Sequence, residues 1–176
     1  MSPPEKNNGE KIYSGKELTK YLLKDTNKYI SYQRTLYQQA ASEEIYRAKE
    51  KLVYKFISHN LVFAYDDKRR LFLNSANMLI PNIQGYSIKT VLAFLNSPIF
   101  QHIYAKKFNE VKILKGALAQ IPFPKLGKRI NDSIDFMVKE MLATRNLKHL
   151  QAIDDTIFAV FGLSGKEIKY IKKEIA

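Results

Sequence analysis

The spacing of apolar residues changes near residue 127, and this change limits the folds open to the chain. Beyond that point apolar residues recur every three or four positions, the period of a helix with one buried face. One run comprises Ile130, Ile134, Met137, Val138 and Met141, and a second comprises Leu147, Leu150, Ile153, Ile157, Phe158 and Phe161. Gly162 ends the second run, and Ser164 with Glu167 forms a capping box that begins a third helix. The last third is therefore predicted to be a tail of about three helices.

The middle of the chain is typical of strands instead. Residues 52–58, 61–65 and 71–80 form short runs that are rich in β-branched and aromatic side chains. His59-Asn60 separates the first two runs, and the charged segment 66–70 separates the second from the third. This pattern predicts an antiparallel meander.

Before these strands, local signals predict smaller elements. Ser14 and Glu17 have the spacing of a capping box, which predicts a helix of about two turns. Residues 29–32 are predicted to form a short strand. Residues 34–50 are polar without a clean period and indicate a long irregular loop.

After the strands, Ser87 is predicted to cap a helix. At Asn96-Ser97-Pro98 this helix is expected to stop and restart, with serine as the new cap and proline at the first position. The two prolines within residues 118–124 predict an edge strand or an extended segment.

These elements together predict an α+β fold, in which a small, mostly antiparallel sheet with flanking helices precedes the helical tail. Residues 1–10 are polar and rich in proline and glycine, and we expect a flexible leader there. We assign residues 11–126 to an α/β domain and residues 127–176 to the tail.

The charge of the chain favours a polyanionic partner. There are 29 Lys and Arg residues against 17 Asp and Glu, which gives a formal net charge of +12. Nucleic acid is the commonest partner of such a chain, and a merely basic protein is the alternative. Cysteine is absent, which excludes disulfides and thiolate metal sites and fits the cytoplasm, where we expect this protein. No stretch reaches the roughly 20 apolar residues of a membrane span, so no membrane partner is expected.

The order of segments resembles a known family. The matching segments, in order, are Tyr13-Ser14-Gly15-Lys16-Glu17-Leu18, Lys28-Tyr29-Ile30-Ser31-Tyr32, Glu50 to Ile57, Leu61 to Asp67, Leu73 to Pro81, Leu92 to Ser97, Gln120 to Pro124, and Ile153 to Ile168. Together they resemble the C-terminal specificity domain of TaqI-like and type IIG restriction–modification enzymes, which are adenine-N6 DNA methyltransferases often fused to a nuclease. Tyr54 stands where the family usually has a basic residue, and Ser14 where it often has arginine.

The resemblance implies double-stranded DNA and a methyltransferase catalytic domain as partners, with no small-molecule substrate. It also implies that S-adenosylmethionine and magnesium serve catalytic domains outside this chain, which should hold no cofactor. The residues agree with that expectation. The one Pro-Pro pair, Pro3-Pro4, lacks the Asn or Asp and the aromatic residue that grip a flipped adenine. No glycine-rich turn follows a strand to hold the cofactor.

Catalytic and metal sites find little support elsewhere in the sequence. Asp66-Asp67-Lys68 and Glu167-Ile168-Lys169 superficially resemble the carboxylate and lysine sets of nucleases. A solvated hairpin turn explains the first and a helix cap explains the second. His59, His102 and His149 are scattered without metal-ligand spacing. We therefore expect no catalytic and no metal-binding residue.

Candidate DNA-binding residues are drawn from two basic stretches, 47–70 and 105–129, and from their neighbours. Lysine and arginine neutralise phosphates, whereas arginine, asparagine and glutamine can read base edges. The predicted set is Lys16, Arg47, Lys49, Lys55, Lys68, Arg69, Arg70, Asn74, Asn77, Lys106, Lys107, Lys112 and Lys115. An alternative role for Asn74 or Asn77 is a turn or bulge. Tyr65 and Phe108 are candidate base-stacking residues, although aromatic residues are more often part of a core.

Three functions stay open on the sequence. The first is a specificity domain that binds duplex DNA beside a methyltransferase. The second is a small complete enzyme such as a nuclease, against which the absence of a coherent catalytic set argues. The third is a non-catalytic protein-interaction or structural domain whose basic charge is incidental.

Overall fold

The computed structural model describes residues 9–33, 35, 41–108 and 110–175. The strands are β1 (Glu10–Tyr13), β2 (Tyr29–Ile30), β3 (Lys51–Lys55), β4 (Phe63–Asp66), β5 (Leu71–Phe72) and β6 (Ala76–Leu79). The helices are α1 (Glu43–Tyr46), α2 (Ile88–Asn96), α3 (Pro98–Phe108), α4 (Lys115–Leu118), α5 (Lys128–Thr144), α6 (Leu150–Val160) and α7 (Gly165–Glu174). The predicted α+β class and the tail of three helices are confirmed.

The strands form two small sheets. One sheet has the order β4-β3-β6 and is antiparallel throughout, and the other has the order β2-β1-β5, in which β1 and β5 are parallel. Successive residues of β3 point to opposite faces, as the pleat requires. Leu52 and Tyr54 pack against the helices, whereas Val53 packs toward the β2-β1-β5 sheet. The β4-β3-β6 sheet is therefore a middle layer with both faces buried.

The predicted meander is wrong, because β3 lies at the centre of its sheet and residues 71–80 form two strands. Leu71 and Phe72 pair with β1, and the chain turns at residues 73–75 before Ala76 begins β6 on the other sheet. Asn74 and Ser75 are residues that turns favour. The alternative role as a turn residue is thus correct for Asn74.

The predicted helix after Ser14 is also wrong. The side chain of Glu17 does accept hydrogen bonds from the amide and hydroxyl of Ser14, at 2.7 and 2.6 Å. The chain then turns back, with a bridge between Leu18 and Leu23 and a left-handed φ of 70° at Tyr21. Burial decides this path, because Leu18 and Leu23 enter one core while Tyr21 enters the other.

The break between α2 and α3 is confirmed, and its residues hold the middle sheet. Asn96 accepts a hydrogen bond from the Phe63 amide at 3.0 Å and donates one to the Phe63 carbonyl at 2.9 Å. Gln101 makes the same pair of bonds with Leu61, at 2.7 and 2.9 Å. The two side-chain amides thereby satisfy buried backbone groups next to and within β4.

The remaining expectations have mixed outcomes. Residues 118–124 form no strand: Leu118 ends α4, residues 119–120 form a turn, and only residues 122–124 are free of helix, turn and strand. The described part of the segment predicted as a loop, 34–50, contains the short helix α1. Most of the predicted leader, residues 1–8, lies outside the described residues. None of the described helices is long and apolar enough to cross a membrane.

The helical tail shares one core with the rest of the chain. Ile134 and Val138 of α5 and Ile157 of α6 are buried in the same cluster as Leu92 and Phe94 of α2. Ser164 and Glu167 form the predicted capping box at the start of α7. The domain boundary near residue 127 stays a prediction.

A buried ion pair joins β3 to β4 within the middle sheet, on the side that faces Phe72 of the other sheet. The Lys51 ammonium, at the start of β3, lies 2.6 Å from the carboxylate of Asp66 at the end of β4, and both side chains are fully buried. Lys51 also donates to the Tyr46 carbonyl at 2.8 Å, and Arg70 donates to Asp66 at 2.7 Å. Burial by itself would raise the pKa of Asp66, but the bonds from Lys51 and Arg70 hold it below its ordinary value.

We predict that Asp66→Ala lowers the free energy of unfolding by about 3–5 kcal/mol, because Lys51 would be left as an unpaired buried charge. Urea denaturation measures the change. The apolar double variant Lys51→Met/Asp66→Leu should recover most of the loss. Asp25→Ala is the control, because it removes the partner of Lys11 in an exposed ion pair and should change stability little. A loss no larger than that of the control would contradict the prediction.

A second carboxylate, on the half-buried Asp154, lacks such partners. Asp154 of α6 has a buried Oδ1, and Tyr21 a buried hydroxyl, neither with a hydrogen-bond partner among the described residues. Burial raises the pKa of Asp154 to about 6, although the positive charges of Lys20 and Lys172 oppose the shift. The ionised form of Asp154 is therefore less stable in the folded chain than in the unfolded one.

The direction of that shift predicts a pH dependence. The folded pKa lies above the unfolded value of about 4, so stability should fall as the pH rises from about 4 through 6. We expect Asp154→Asn to remove this slope and to raise the free energy of unfolding at pH 7 by about 1–2 kcal/mol, after allowance for partial solvent contact. Thermal or urea denaturation between pH 4 and 8 tests it. The control Asp155→Asn, on the exposed side of the same helix, should leave the slope intact.

Candidate nucleic-acid interface

The turn at residues 73–75 is formed where the chain crosses from one sheet to the other. The Leu73 amide donates to the Tyr13 carbonyl at 2.8 Å, which continues the pairing of β1 with β5. The Ala76 amide then donates to the Leu73 carbonyl at 2.9 Å and closes the turn. Because both ends are hydrogen bonded, Asn74 and Ser75 are presented to solvent from a fixed backbone.

A close backbone approach places the segment after β1 against this turn. The Gly15 amide donates to Ser75 Oγ at 3.1 Å, and a Cβ atom at Gly15 would lie 2.8 Å from the Ser75 carbonyl oxygen. Any residue with a side chain would clash with the Ser75 backbone, so glycine is required at this position. Its neighbour Lys16 is exposed beside the turn as a result.

Two adjoining concavities, of about 540 and 470 Å³, open on either side of the turn. We call the surface that they form the turn face. Its polar residues outside the core and its exposed apolar residues are Lys16, Lys28, Lys55, Ile57, Leu73, Asn74, Ser75, Asn77 and Lys115. Among the described residues that line the two concavities there is no aspartate or glutamate.

The turn face collects residues from both predicted basic stretches. Five of the predicted DNA-binding residues line it, namely Lys16, Lys55, Asn74, Asn77 and Lys115. Lys112 is exposed. Its backbone forms an antiparallel bridge with Ile57, and this bridge places it beside the turn face. Lys55 and Lys112 are far apart in sequence, and this bridge brings their segments together.

A second group of predicted residues lies at the opposite end of β3. That strand separates Lys51 from Lys55 by about 13 Å, and the 66–70 segment follows β4 at the Lys51 end. The group consists of Arg47, Lys68, Arg69 and Arg70. Arg47 is paired with Glu10 and Glu43, at 2.6 and 2.9 Å, and Arg70 with the buried Asp66. Two of these four cations are therefore already neutralised within the chain.

The other predicted residues are more dispersed. Lys106 and Lys107 lie in the last turn of α3, where Lys106 pairs with Glu174 of α7 at 2.6 Å. Lys107 donates to the Gln120 carbonyl at 3.0 Å. Lys49 is exposed just before β3. These three residues do not line the turn face.

The candidate stacking residues are both engaged within the fold. The Tyr65 hydroxyl hydrogen bonds to Glu50, and the Lys89 ammonium lies 4.6 Å from the centre of its ring. Burial, together with the bond to Glu50, raises the pKa of Tyr65 to about 12. Phe108 is half-buried and packs against Tyr104, with ring centres 5.1 Å apart.

Sequence reasoning missed several residues that the fold brings to these surfaces. Lys28 lines the turn face and pairs with Glu17 at 3.3 Å. Ile57 and Leu73 line it as exposed apolar side chains. No local pattern identifies them, since strand periodicity predicts only which face of a strand they share. A further concavity of about 470 Å³ near residues 67–70 also contains the unforeseen Lys89, Lys139 and Arg145.

In the described part of the chain, no group of three His, Cys, Asp or Glu side chains is placed to hold a metal ion. Two of the three candidate carboxylates named above have structural partners. Asp66 is in the buried ion pair, and Glu167 caps α7 through Ser164.

Comparison with known proteins gives a family match. A family model described as the TaqI-like C-terminal specificity domain matches residues 10–123. The match begins with β1, continues past α4, and includes every residue of the turn face. A search of curated proteins gives no match. Because the family model covers more than half of the 176 residues, the chain belongs to the family of TaqI-like C-terminal specificity domains.

Proposed function

We propose that this chain binds double-stranded DNA at a specific sequence, as the target-recognition domain of a restriction–modification adenine-N6 methyltransferase or endonuclease. The turn face is the surface that meets the DNA. The observation that carries the proposal is the gathering there of lysine and asparagine side chains without a carboxylate among the described lining residues.

The composition of the turn face suits the two tasks of such a domain. Lysines neutralise phosphates and release counterions, which gives affinity without sequence information. Asparagine can donate to and accept from the same adenine edge, which gives sequence information. Asn74 and Asn77 line the same concavity as Lys115, and Lys55 lines the adjoining one.

Catalysis belongs, in this proposal, to a methyltransferase domain outside the chain. That domain would bind S-adenosylmethionine and flip the target adenine, and magnesium would serve an associated nuclease. This chain would bind the duplex and present it to that domain, and it would hold no cofactor itself. Both would act in the cytoplasm. Its own part is to neutralise the DNA backbone and to read bases.

A second candidate is docking to another protein through the same surface. Four exposed aliphatic residues, Ile57, Leu73, Val111 and Leu114, lie on or near the turn face and favour it. The lysines argue against a mainly apolar protein interface, because charged residues are depleted at interface cores. Binding to DNA distinguishes the two functions.

We predict that the chain selects a defined sequence from a random duplex library at low salt. Binding should weaken steeply as salt rises, with a log–log slope of about −3 to −5 if the free lysines of the turn face each contact a phosphate. Selection followed by titration at two salt concentrations measures both properties. Salt-sensitive binding without enrichment would overturn sequence recognition, and no binding at low salt would overturn the DNA function altogether.

Lysine variants test the location of the interface. We expect Lys55→Gln/Lys115→Gln to weaken binding of the selected duplex at least about tenfold at low salt and to reduce the salt slope by about 2, because two phosphate contacts are lost. The matched control is Lys166→Gln/Lys169→Gln on α7, which removes the same charge from exposed positions. Equal effects of the two double variants would show that net charge, and not the turn face, governs binding.

A further inference from the structure

Two exposed apolar side chains are shared by both concavities of the turn face. Ile57 is 63% exposed and Leu73 is 40% exposed, and both side chains line both concavities. Lys16 and Lys55 line one concavity, and Asn74 lines the other. The apolar pair is therefore flanked by cationic and polar side chains, and the half-buried Ala41, Ile45 and Phe56 also line one of the concavities.

The backbone holds these two residues in place. Ile57 forms a bridge with Lys112, and the flanking bonds from Ser58 to Val111 and from Ile113 to Phe56 are both 2.8 Å long. Leu73 is fixed by its bond to Tyr13 in the small sheet. Single exposed aliphatic residues are common and need no explanation. Two that line the same two concavities from hydrogen-bonded backbone, among lysines, form a preorganised apolar surface.

Charge complementarity selects the partner of that contact. A surface rich in lysine, with no carboxylate among its described lining residues, fits a polyanion. On duplex DNA, the apolar group that base edges present in the major groove is the C5-methyl group of thymine. The adenine paired with that thymine presents N6 and N7 in the same groove, and an asparagine amide can bond to both.

We infer that Ile57 and Leu73 contact the methyl group of a thymine in the target, while Asn74 reads the adenine of the same base pair. This inference rests on the proposed function and deepens it by naming an A·T pair as the element read in the major groove. Lys16 and Lys55 contact the phosphates of the adjoining backbone. Ile57, Leu73 and Asn74 thereby determine specificity.

Replacement of thymine by deoxyuridine tests the inference, because it removes only the methyl group. The probe is the duplex selected from the library, with each thymine replaced in turn, and the protein is the full chain. One replacement should weaken wild-type binding about three- to fivefold, the effect expected for one methyl group withdrawn from an apolar contact. Ile57→Ala and Leu73→Ala should each bind the thymine duplex more weakly and lose most of the response to deoxyuridine.

Matched variants complete the experiment. Ile80→Ala removes an isoleucine that is 52% exposed just beyond the far end of β6, and it should retain both the affinity and the response. Asn74→Ala should relax selection at the same base pair while keeping the salt slope. Far-ultraviolet circular dichroism of each variant checks that the fold is kept.

The outcomes separate this inference from the proposed function. If a sequence is selected but contains no thymine, or if no deoxyuridine replacement changes affinity, the inference is wrong and the DNA function stands. The same holds if the Ile57→Ala and Leu73→Ala variants respond to deoxyuridine as the wild type does. A chain that selects no sequence overturns both.

Discussion

The buried ion pair between Lys51 and Asp66 is the interaction on which the arrangement of the two sheets depends. It lies between the sheets at one end of the β3–β4 pair, and both side chains are fully withdrawn from solvent. Such a pair is stable only when its remaining hydrogen-bonding capacity is met. The Tyr46 carbonyl and the Arg70 guanidinium meet it here, so that α1 and the segment leading into β5 are held to the same point.

The turn face lies at the other end of the sheets. Arg70 bonds to Asp66, β5 then pairs two residues with β1, and the chain crosses to the middle sheet, where Ala76 begins β6. The crossing is the turn at 73–75, and the close approach of Gly15 fixes its position. The surface proposed to read DNA is therefore a consequence of a sheet-to-sheet crossing. A rigid crossing of this kind can hold base-reading side chains in place before the duplex arrives.

The helices are attached to the middle sheet by hydrogen bonds and by a shared core. The amides of Asn96 and Gln101 bond to the backbone at Phe63 and Leu61, so the break between α2 and α3 is tied to the middle sheet. The tail packs on α2 and continues the same core. Asp154 of α6 and Tyr21 each leave a buried polar atom without a hydrogen-bond partner among the described residues.

The sequence by itself determined the helices of the last third, the caps at Ser87 and Ser164, the break at Ser97-Pro98 and the family, because each signal lies within a few neighbouring residues or in their order. Tertiary structure decided which cations share a surface. Lys55 and Lys115 both line the turn face, whereas Arg70 forms an ion pair with Asp66. The strand expected over 71–80 is divided between two sheets. The physical reason is that these outcomes depend on contacts between distant residues, such as Gly15 with Ser75, whose energies no local pattern records.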